Sequence, residues 1–357
     1  MITILHAADL HLDSAFSGRG EGATARLRAA LRSVPEQICA ICARERCDLL
    51  LLSGDVFDGA PTAESLRLLK QALGQVDIPV FIAPGNHDFY TPNSPWVQES
   101  WPENVHIFTR PVVESIALEE RSCRIYGAAF TSVDCAPLLE NFRLEGDEKY
   151  HIALLHGDPL LQNSPYNPIT QAQVRGSGLD YLALGHVHKQ GSFHAGKTLC
   201  AWPGCAMGRG YDELGEKGVL LVTVADNVST RFIPLNTPRF YDLEAEVETT
   251  AEAAIAARLP AVANEDFYRI TLIGECETPD LSDLTNRFSQ FPNLELRDHT
   301  RPPVDLWACA GSDSLEGVYF GMLKDALQEQ DEQSRRIILL AAKISRKILD
   351  GEEVVLP

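Results

Sequence analysis

The sequence predicts an α/β fold built on a central sheet, mixed or split in two, followed by a smaller α/β unit and a helical tail. Three observations carry this. Over the first 230 residues, short apolar runs alternate with longer amphipathic ones; two prolines interrupt the pattern between Ile233 and Phe240; and the alternation then resumes on a smaller scale. Strand–helix alternation of this kind layers helices on a sheet.

The strands expected in the first part are Ile2–Ala8, Asp48–Ser53, Pro79–Ala83, Arg124–Phe130, Tyr150–Leu155, Leu179–Leu184 and Gly218–Val224. Helical patterns over Ala25–Arg46 and Ala63–Gln75 separate the first three. Several later strands have little helix between them, which is why the sheet is expected to be mixed or divided. After a linker at Ile233–Phe240 come strand Tyr241–Glu248, helix Thr250–Leu259, strand Phe267–Ile273, helix Leu281–Phe291 and strand Leu294–Asp298. Pro302-Pro303 closes this unit, and two helices follow, Ser314–Glu329 and Glu332–Leu349. The domains expected are therefore 1–235, 240–300 and a C-terminal helical segment, 304–357.

Fifty Asp and Glu against 31 Lys and Arg leave a net charge of −19. So acidic a chain is no free-standing, high-affinity nucleic-acid binder, because phosphate contacts need clustered Lys and Arg. An enzyme that meets phosphates with metal ions is not excluded. Residues 241–300 are the most acidic part, with 13 acidic against 4 basic residues. No window has the length of uncharged apolar sequence that a membrane helix needs, and Met1–Ala8 lacks the basic start of a signal peptide. The nine cysteines show no framework spacing, and Cys39, Cys42 and Cys47 fall on one helical stretch. Reduced, mostly buried thiols in the cytoplasm are the expectation.

Five polar clusters carry the chemistry, and each follows a predicted strand: Asp9-Leu10-His11, Gly54-Asp55-Val56-Phe57-Asp58, Gly85-Asn86-His87-Asp88, His156-Gly157-Asp158 and Gly185-His186-Val187-His188. Sites of open α/β sheets form beyond the carboxyl ends of strands, so five such ends converge on one cleft. Imidazole and carboxylate suit first-row divalent ions. The i, i+2 spacing of Asp9 with His11 and of His186 with His188 would put each pair on one side of an extended chain. Asp9, His11, Asp55, Asn86, His156, His186 and His188 make seven candidate ligands. That is too many for one octahedral ion with an open position and suits two ions sharing a carboxylate.

This ordered set resembles the calcineurin-like metallophosphoesterase superfamily, whose pattern D-x-H, G-D-x-x-D, G-N-H-D/E, H, G-H-x-H is complete here. The resemblance implies a layered β-sandwich flanked by helices, with a small α/β capping domain and C-terminal helices. It implies one metal held by Asp9, His11, Asp55 and His188 and a second held by Asp55, Asn86, His156 and His186. It also implies a metal-bound hydroxide as nucleophile. His87 would act on the substrate as general acid or transition-state stabiliser, and Asp58 would orient it. Gly59-Ala60 after Asp58 and Tyr90 past His87 fit poorly with the protein Ser/Thr phosphatase and UDP-diacylglucosamine pyrophosphatase branches. The runs ADLHLD and GDVFD resemble SbcD-type DNA repair exonucleases, with Asp13 where many of those have Gly.

That branch implies a two-metal nuclease, exonuclease or endonuclease, with Mn²⁺ as the expected ion and DNA as substrate. Its C-terminal helices would grip an SbcC-type ATPase; a homodimer is the other assembly expected, and no membrane is involved. The apolar positions Leu315, Val318, Tyr319, Met322, Leu323 and Leu327, and the run Ile337–Ala342 with Ile344, Ile348 and Leu349, suit such docking or closure of the chain's own core. The rival functions are a metallophosphatase or small-molecule phosphodiesterase and a non-catalytic subunit. Phe57, Phe89 and Tyr90 flank the motifs and would either stack on an unpaired base or pack. Arg19, Arg26, Arg28 and Arg32 would either meet a phosphate backbone or form a solvated face.

Overall fold

The computed structural model describes residues 1–303, 305–329 and 331–351. Contacts divide the chain into one unit of Met1–Leu243, Ala261–Arg269 and Phe288–Glu295 and a second of Glu244–Pro260, Ile270–Arg287 and Leu296–Pro357.

The first unit is built on two six-stranded sheets. Strands β1 (Ile2–Ala7), β2 (Leu49–Leu52) and β3 (Val80–Ile82) run parallel, with helices α1 (Glu21–Glu45) and α2 (Ala63–Leu73) between them and a short helix α3 (Pro95–Gln98) leading to β4 (Val105–Ile107). The second sheet takes β5 (Glu114–Leu118), β6 (Cys123–Gly127), β7 (Tyr150–His156), β8 (Tyr181–Gly185) after helix α4 (Gln171–Ser177), and the hairpin β9 (Gly191–Ala195) and β10 (Thr198–Trp202). The hairpin of β11 (Gly218–Val224) and β12 (Val228–Pro234) then returns to the first sheet beside β1. The orders are β12-β11-β1-β2-β3-β4 and β5-β6-β7-β8-β10-β9, so the sheet is split and each half is mixed.

Alternation along the strands makes three apolar layers. Ile4, Leu49, Leu51 and Phe81 face Ile125, Ile152, Leu154 and Tyr181 between the sheets. Leu5, Leu50, Leu52 and Ile82 turn the other way, onto Leu27, Leu31, Val34 and Ile38 of α1 and Leu69 and Leu73 of α2. Beyond the second sheet, Tyr126, Leu155 and Leu182 pack with Phe142 and Val174. Strands buried on both faces read as continuous apolar runs, and Leu49–Leu52 is such a run. Cys39, Cys42 and Cys47 are buried in the α1 layer, and all nine cysteines are free thiols.

The linker expected at Ile233–Phe240 is shorter than its prolines suggested. β12 continues to Pro234, because Ile233 is buried and pairs with Val219, and only a strand's last residue is a proline. Strands β13 (Phe240–Glu246), β14 (Phe267–Ile273) and β15 (Leu294–Asp298) form a third sheet in that order, with helices α5 (Ala251–Ala256) and α6 (Leu281–Arg287) between them.

In the second unit, helix α7 (Leu315–Ala326) is capped by Ser314 and α8 (Glu332–Leu349) by Asp331. They meet through the Tyr319 and Ser345 hydroxyls, 2.8 Å apart, and an Arg346–Glu316 ion pair. Phe320 and Ala342 are buried, whereas Leu315, Met322 and Ile337 stay 90%, 69% and 61% exposed. Val304, Gln330 and residues 352–357 of the expected tail lie outside the described residues.

His6 points between the sheets, where Tyr181 Oη lies 2.8 Å from Nδ1, and Ser53 Oγ and the Leu184 carbonyl each lie 3.1 Å from Nε2. Burial pushes its pKa down to about 3. The unfolded chain therefore binds a proton there that the native state refuses, between the ordinary value near 6.5 and about 3. Stability is full above that window, falls by up to about 1.4 kcal/mol per pH unit as the pH drops through it, and loses nothing more from His6 below it. Urea titrations at pH 7.5 and 5 should show this loss, and His6→Gln should reduce it; equal slopes would remove His6 as its source.

Candidate metal centre

The site is assembled by loops that leave the strand ends and bond to one another. After β1 and β2 the two loops pair through Asp9 N to Gly54 O (3.1 Å), His11 N to Asp55 O (2.9 Å), Leu12 N to Val56 O (2.9 Å) and Asp58 N to Leu12 O (2.9 Å). The extended chain expected at Asp9 and His11 is not what forms. Both sit at positive φ (50° and 47°), as do Asp55 (50°) and His186 (93°). Such conformations cost about 1–3 kcal/mol each and persist where the surroundings over-determine them. Here the paired loops do so, turning the side chains inward. Gly54 (φ 88°) and Gly85 are required by closeness: a Cβ at the first would run into the His156 ring and at the second into the Asp55 carboxylate.

All seven candidate ligands come together. Asp55 Oδ2 lies 3.7 Å from His11 Nε2 and 3.3 Å from His156 Nε2, so one carboxylate stands between two sets. On one side His11 Nε2 and His188 Nε2 approach to 3.1 Å, grouped with Asp9. On the other, Asn86 Oδ1 lies 2.9 Å from His156 Nε2 and 3.3 Å from His186 Nδ1. Both Asp9 oxygens accept the His186 backbone N–H, at 3.0 and 3.1 Å, and Asp9 is also grouped with Asp55 and His156.

The hydrogen bonds around these imidazoles fit a cation. His156 Nδ1 donates to the Ser53 carbonyl at 2.9 Å, which leaves the Nε2 lone pair facing the Asp55 and Asn86 oxygens. His188 Nδ1 donates to Glu213 Oε1 at 2.7 Å, which turns its Nε2 lone pair toward His11. His11 Nδ1 is buried with no hydrogen-bond partner. Lone pairs aimed at one another repel unless a positive charge lies between them, and outer carboxylates and carbonyls that fix the tautomer are usual partners of metal-bound imidazole. Burial opposes a charge on His156, yet the adjacent Asp55 carboxylate outweighs it and pushes the pKa up to about 9, so Nε2 takes up a positive charge there, a proton where no metal is bound. The donor set is oxygen and imidazole, suited to divalent first-row ions.

His87 stands at the rim. Its side chain is 43% exposed, its Nδ1 lies 2.9 Å from Asp58 Oδ1, and its ring packs edge-on to His11 at 4.8 Å. Asp58 Oδ2 accepts from Ser14 Oγ at 2.8 Å. The hydrogen bond that Asp58 accepts from His87 raises the pKa of His87, and the imidazoles of His11 and His87 hold Asp58 well below the usual carboxylate range.

The family model for the calcineurin-like phosphoesterases matches residues 2–190, more than half of the chain. The chain belongs to this family. It is 36% identical over 240 residues to an uncharacterized metallophosphoesterase, YhaO, of Bacillus subtilis, covering 63% of this chain and 58% of that protein. It is 27% identical over 201 residues to the DNA double-strand break repair protein Mre11 of Saccharolobus solfataricus, covering 53% of this chain and 50% of that one. The chain thus spans between half and three-fifths of the length of these curated relatives. Among solved structures, a dimetal phosphatase from Danio rerio aligns with a TM-score of 0.43 at 10% identity, over 65% of this chain and 95% of that one. A novel archaeal phosphodiesterase aligns with a TM-score of 0.39 at 14% identity, over 66% of this chain and 100% of that one.

Within this phosphoesterase site, three residues had no role in the sequence reading. Asp88 is buried, and its oxygens accept from Gly85 N (2.8 Å), Val56 N (2.8 Å) and Phe57 N (3.2 Å), tying the GNHD loop to the GDVFD loop. Glu213 is buried behind His188, and Arg209 Nη2 bonds it at 2.7 Å while Arg209 Nη1 lies 3.9 Å from Asp58. Asp88 was visible in its motif; Glu213 and Arg209 come from an irregular stretch without a cue. Asp13 accepts from Thr62 N (2.7 Å) and Ser65 Oγ (2.7 Å), which anchors the start of α2. Asp158 caps its own loop through Leu160 N and Leu161 N. Arg26 and Arg32 are paired with Glu265 and Asp13, Arg28 reaches the Ala15 carbonyl, and Arg19 lies over the Phe240 ring.

Proposed function

We propose that the chain is a two-metal phosphodiesterase that cleaves DNA in the manner of the SbcD-type nucleases, in DNA repair. The observation that carries the reading is the Asp55 carboxylate between two imidazole–oxygen sets, with the His87–Asp58 pair at the rim. Asp9, His11, Asp55 and His188 would hold one ion and Asp55, Asn86, His156 and His186 the other, with Mn²⁺, one of the first-row ions that such ligands suit, as the proposed metal. Bound there, two divalent ions polarise phosphoryl oxygens and make a strong nucleophile available at neutral pH.

The chain's own residues supply the rest. Asp58 holds Nδ1 of His87, so Nε2 is the nitrogen left to give a proton to the departing oxygen. Glu213 orients His188, and Arg209 carries positive charge beside Asp58 without basic sequence nearby. The likeness to Mre11 supports DNA as the substrate. The net charge of −19 favours the second reading, a phosphatase or small-molecule phosphodiesterase on the same centre.

With Mn²⁺, the purified protein should degrade labelled DNA and stop on addition of EDTA. Hydrolysis of bis-p-nitrophenyl phosphate with no cleavage of duplex or single-stranded DNA would overturn the DNA reading in favour of the second.

The reading extends to an ATPase partner of the SbcC type, supported by the apolar residues that α7 and α8 leave exposed. Replacing Ile337 and Leu340, both on the surface, by Glu should leave the fold intact and abolish co-purification with such an ATPase; retained binding would exclude this face. No helix among the described residues is long and apolar enough to cross a membrane. The nine free thiols fit the reducing cytoplasm, where the reading places the chain.

A further inference from the structure

A cavity of about 470 Å³ opens beside His87, large enough for an organic group and larger than a phosphate needs. Pro61, Leu66 and Phe89 give it an apolar wall, and no lysine or arginine lines it. Its one acidic side chain besides Asp88 is Glu99, which is held by Lys70 at 2.8 Å. Apart from His87 at its edge, a second phosphate would find no cationic side chain lining it, so the cavity suits an uncharged ring.

The three aromatic residues that flank the motifs separate clearly. Phe57 is fully buried against Trp96, with ring centroids 5.4 Å apart, and Tyr90 packs into the helix-side core. Phe89 alone lines the cavity, half-buried, and no ring of the described residues stacks on it. Its segment is stiff: Tyr90 N bonds Phe130 O at 2.7 Å, Ser94 Oγ bonds both N and O of Thr91, and the Trp96 indole donates to the Asp88 carbonyl. The Asn93 amide, on the same rim, is exposed and bonds nothing among the described residues.

We propose that this cavity is the subsite for the nucleobase of the leaving nucleoside, stacked on Phe89 with Asn93 at its polar edge. The proposal rests on the phosphodiesterase reading, in which His87 acts on the departing oxygen, and adds that the enzyme recognises a base on that side. Stacking on an aromatic side chain tolerates every base, so the subsite favours strands with an unpaired base and not a particular sequence.

The test uses the full chain with Mn²⁺ and a labelled single-stranded oligothymidylate in which one abasic residue is placed at successive positions. The wild type should cleave about tenfold more slowly when the missing base is on the leaving side of the scissile phosphate. Phe89→Ala should cut that discrimination to below about twofold, and Phe89→Trp should keep it. If the wild type cleaves the intact strand but is indifferent to the abasic residue on that side, the subsite is excluded while the nuclease reading stands. Equal discrimination by Phe89→Ala and Phe89→Trp excludes Phe89 as the platform. If no oligonucleotide is cleaved while bis-p-nitrophenyl phosphate is, the nuclease reading fails and the subsite falls with it.

Discussion

Asp55→Asn should empty both halves of the centre at once. The side chain keeps its shape, and Oδ1 can still accept the His87 backbone N–H that it now holds at 2.9 Å. What changes is the atom between His11 Nε2 at 3.7 Å and His156 Nε2 at 3.3 Å, which becomes an uncharged amide nitrogen or oxygen. Burial works against the native carboxylate, but the neighbouring His156 keeps it ionised well below the usual range, so it presents full negative charge to both sets. Losing even an outer-shell partner costs about 10–100-fold in metal affinity; losing the shared ligand costs more, and it costs it twice. Mass spectrometric metal analysis after equilibration with Mn²⁺ should find both ions on the wild type and neither on the variant. Mn²⁺ should also raise the unfolding temperature of the wild type alone, since ligands stabilise only the state that binds them. A variant that still holds one ion would remove Asp55 from the bridging position.

How far this arrangement could be read in the sequence depends on how local each piece is. β11, β14, β15 and α8 begin and end where their patterns do, because alternation or an amphipathic stripe over seven or more residues, or a short run between turn residues, is a local signal. The hairpin β9–β10 and strands β4 and β5 went unseen. They have three to five residues each, β9 alternates with exposed Ser192 and His194, and β5 is only half-buried throughout. The motif residues of the site were legible because each cluster stands at the end of a strand that was itself legible. The positive φ of Asp9 and His11 was not, since neither is glycine and only the pairing of two loops far apart in sequence imposes it. Glu213 and Arg209 pair with each other four residues apart, but what ties them to the site, His188 and Asp58, is distant along the chain, so they were invisible for the same reason.

His87→Ala should do the reverse of Asp55→Asn, leaving both ions in place and removing most of the turnover. The His87 ring lies outside the two sets that Asp55 joins: it groups with Asp58, which engages its Nδ1, and with His11, which it meets edge-on. The hydrogen bond to Asp58 raises the pKa of the ring, which favours the protonated form that can give a proton to an alkoxide leaving group. Loss of such a group costs about 10²–10⁴-fold. Two further measurements separate proton donation from simple packing. Bis-p-nitrophenyl phosphate releases a phenolate that needs no proton, so His87→Ala should slow it far less than it slows DNA. Asp58→Asn, which keeps the ring but weakens its anchor and removes the charge that holds the proton, should fall between the wild type and His87→Ala on DNA. A His87→Ala protein that lacks metal, or that loses both substrates equally, would show that the ring supports the centre and does not act on the leaving oxygen.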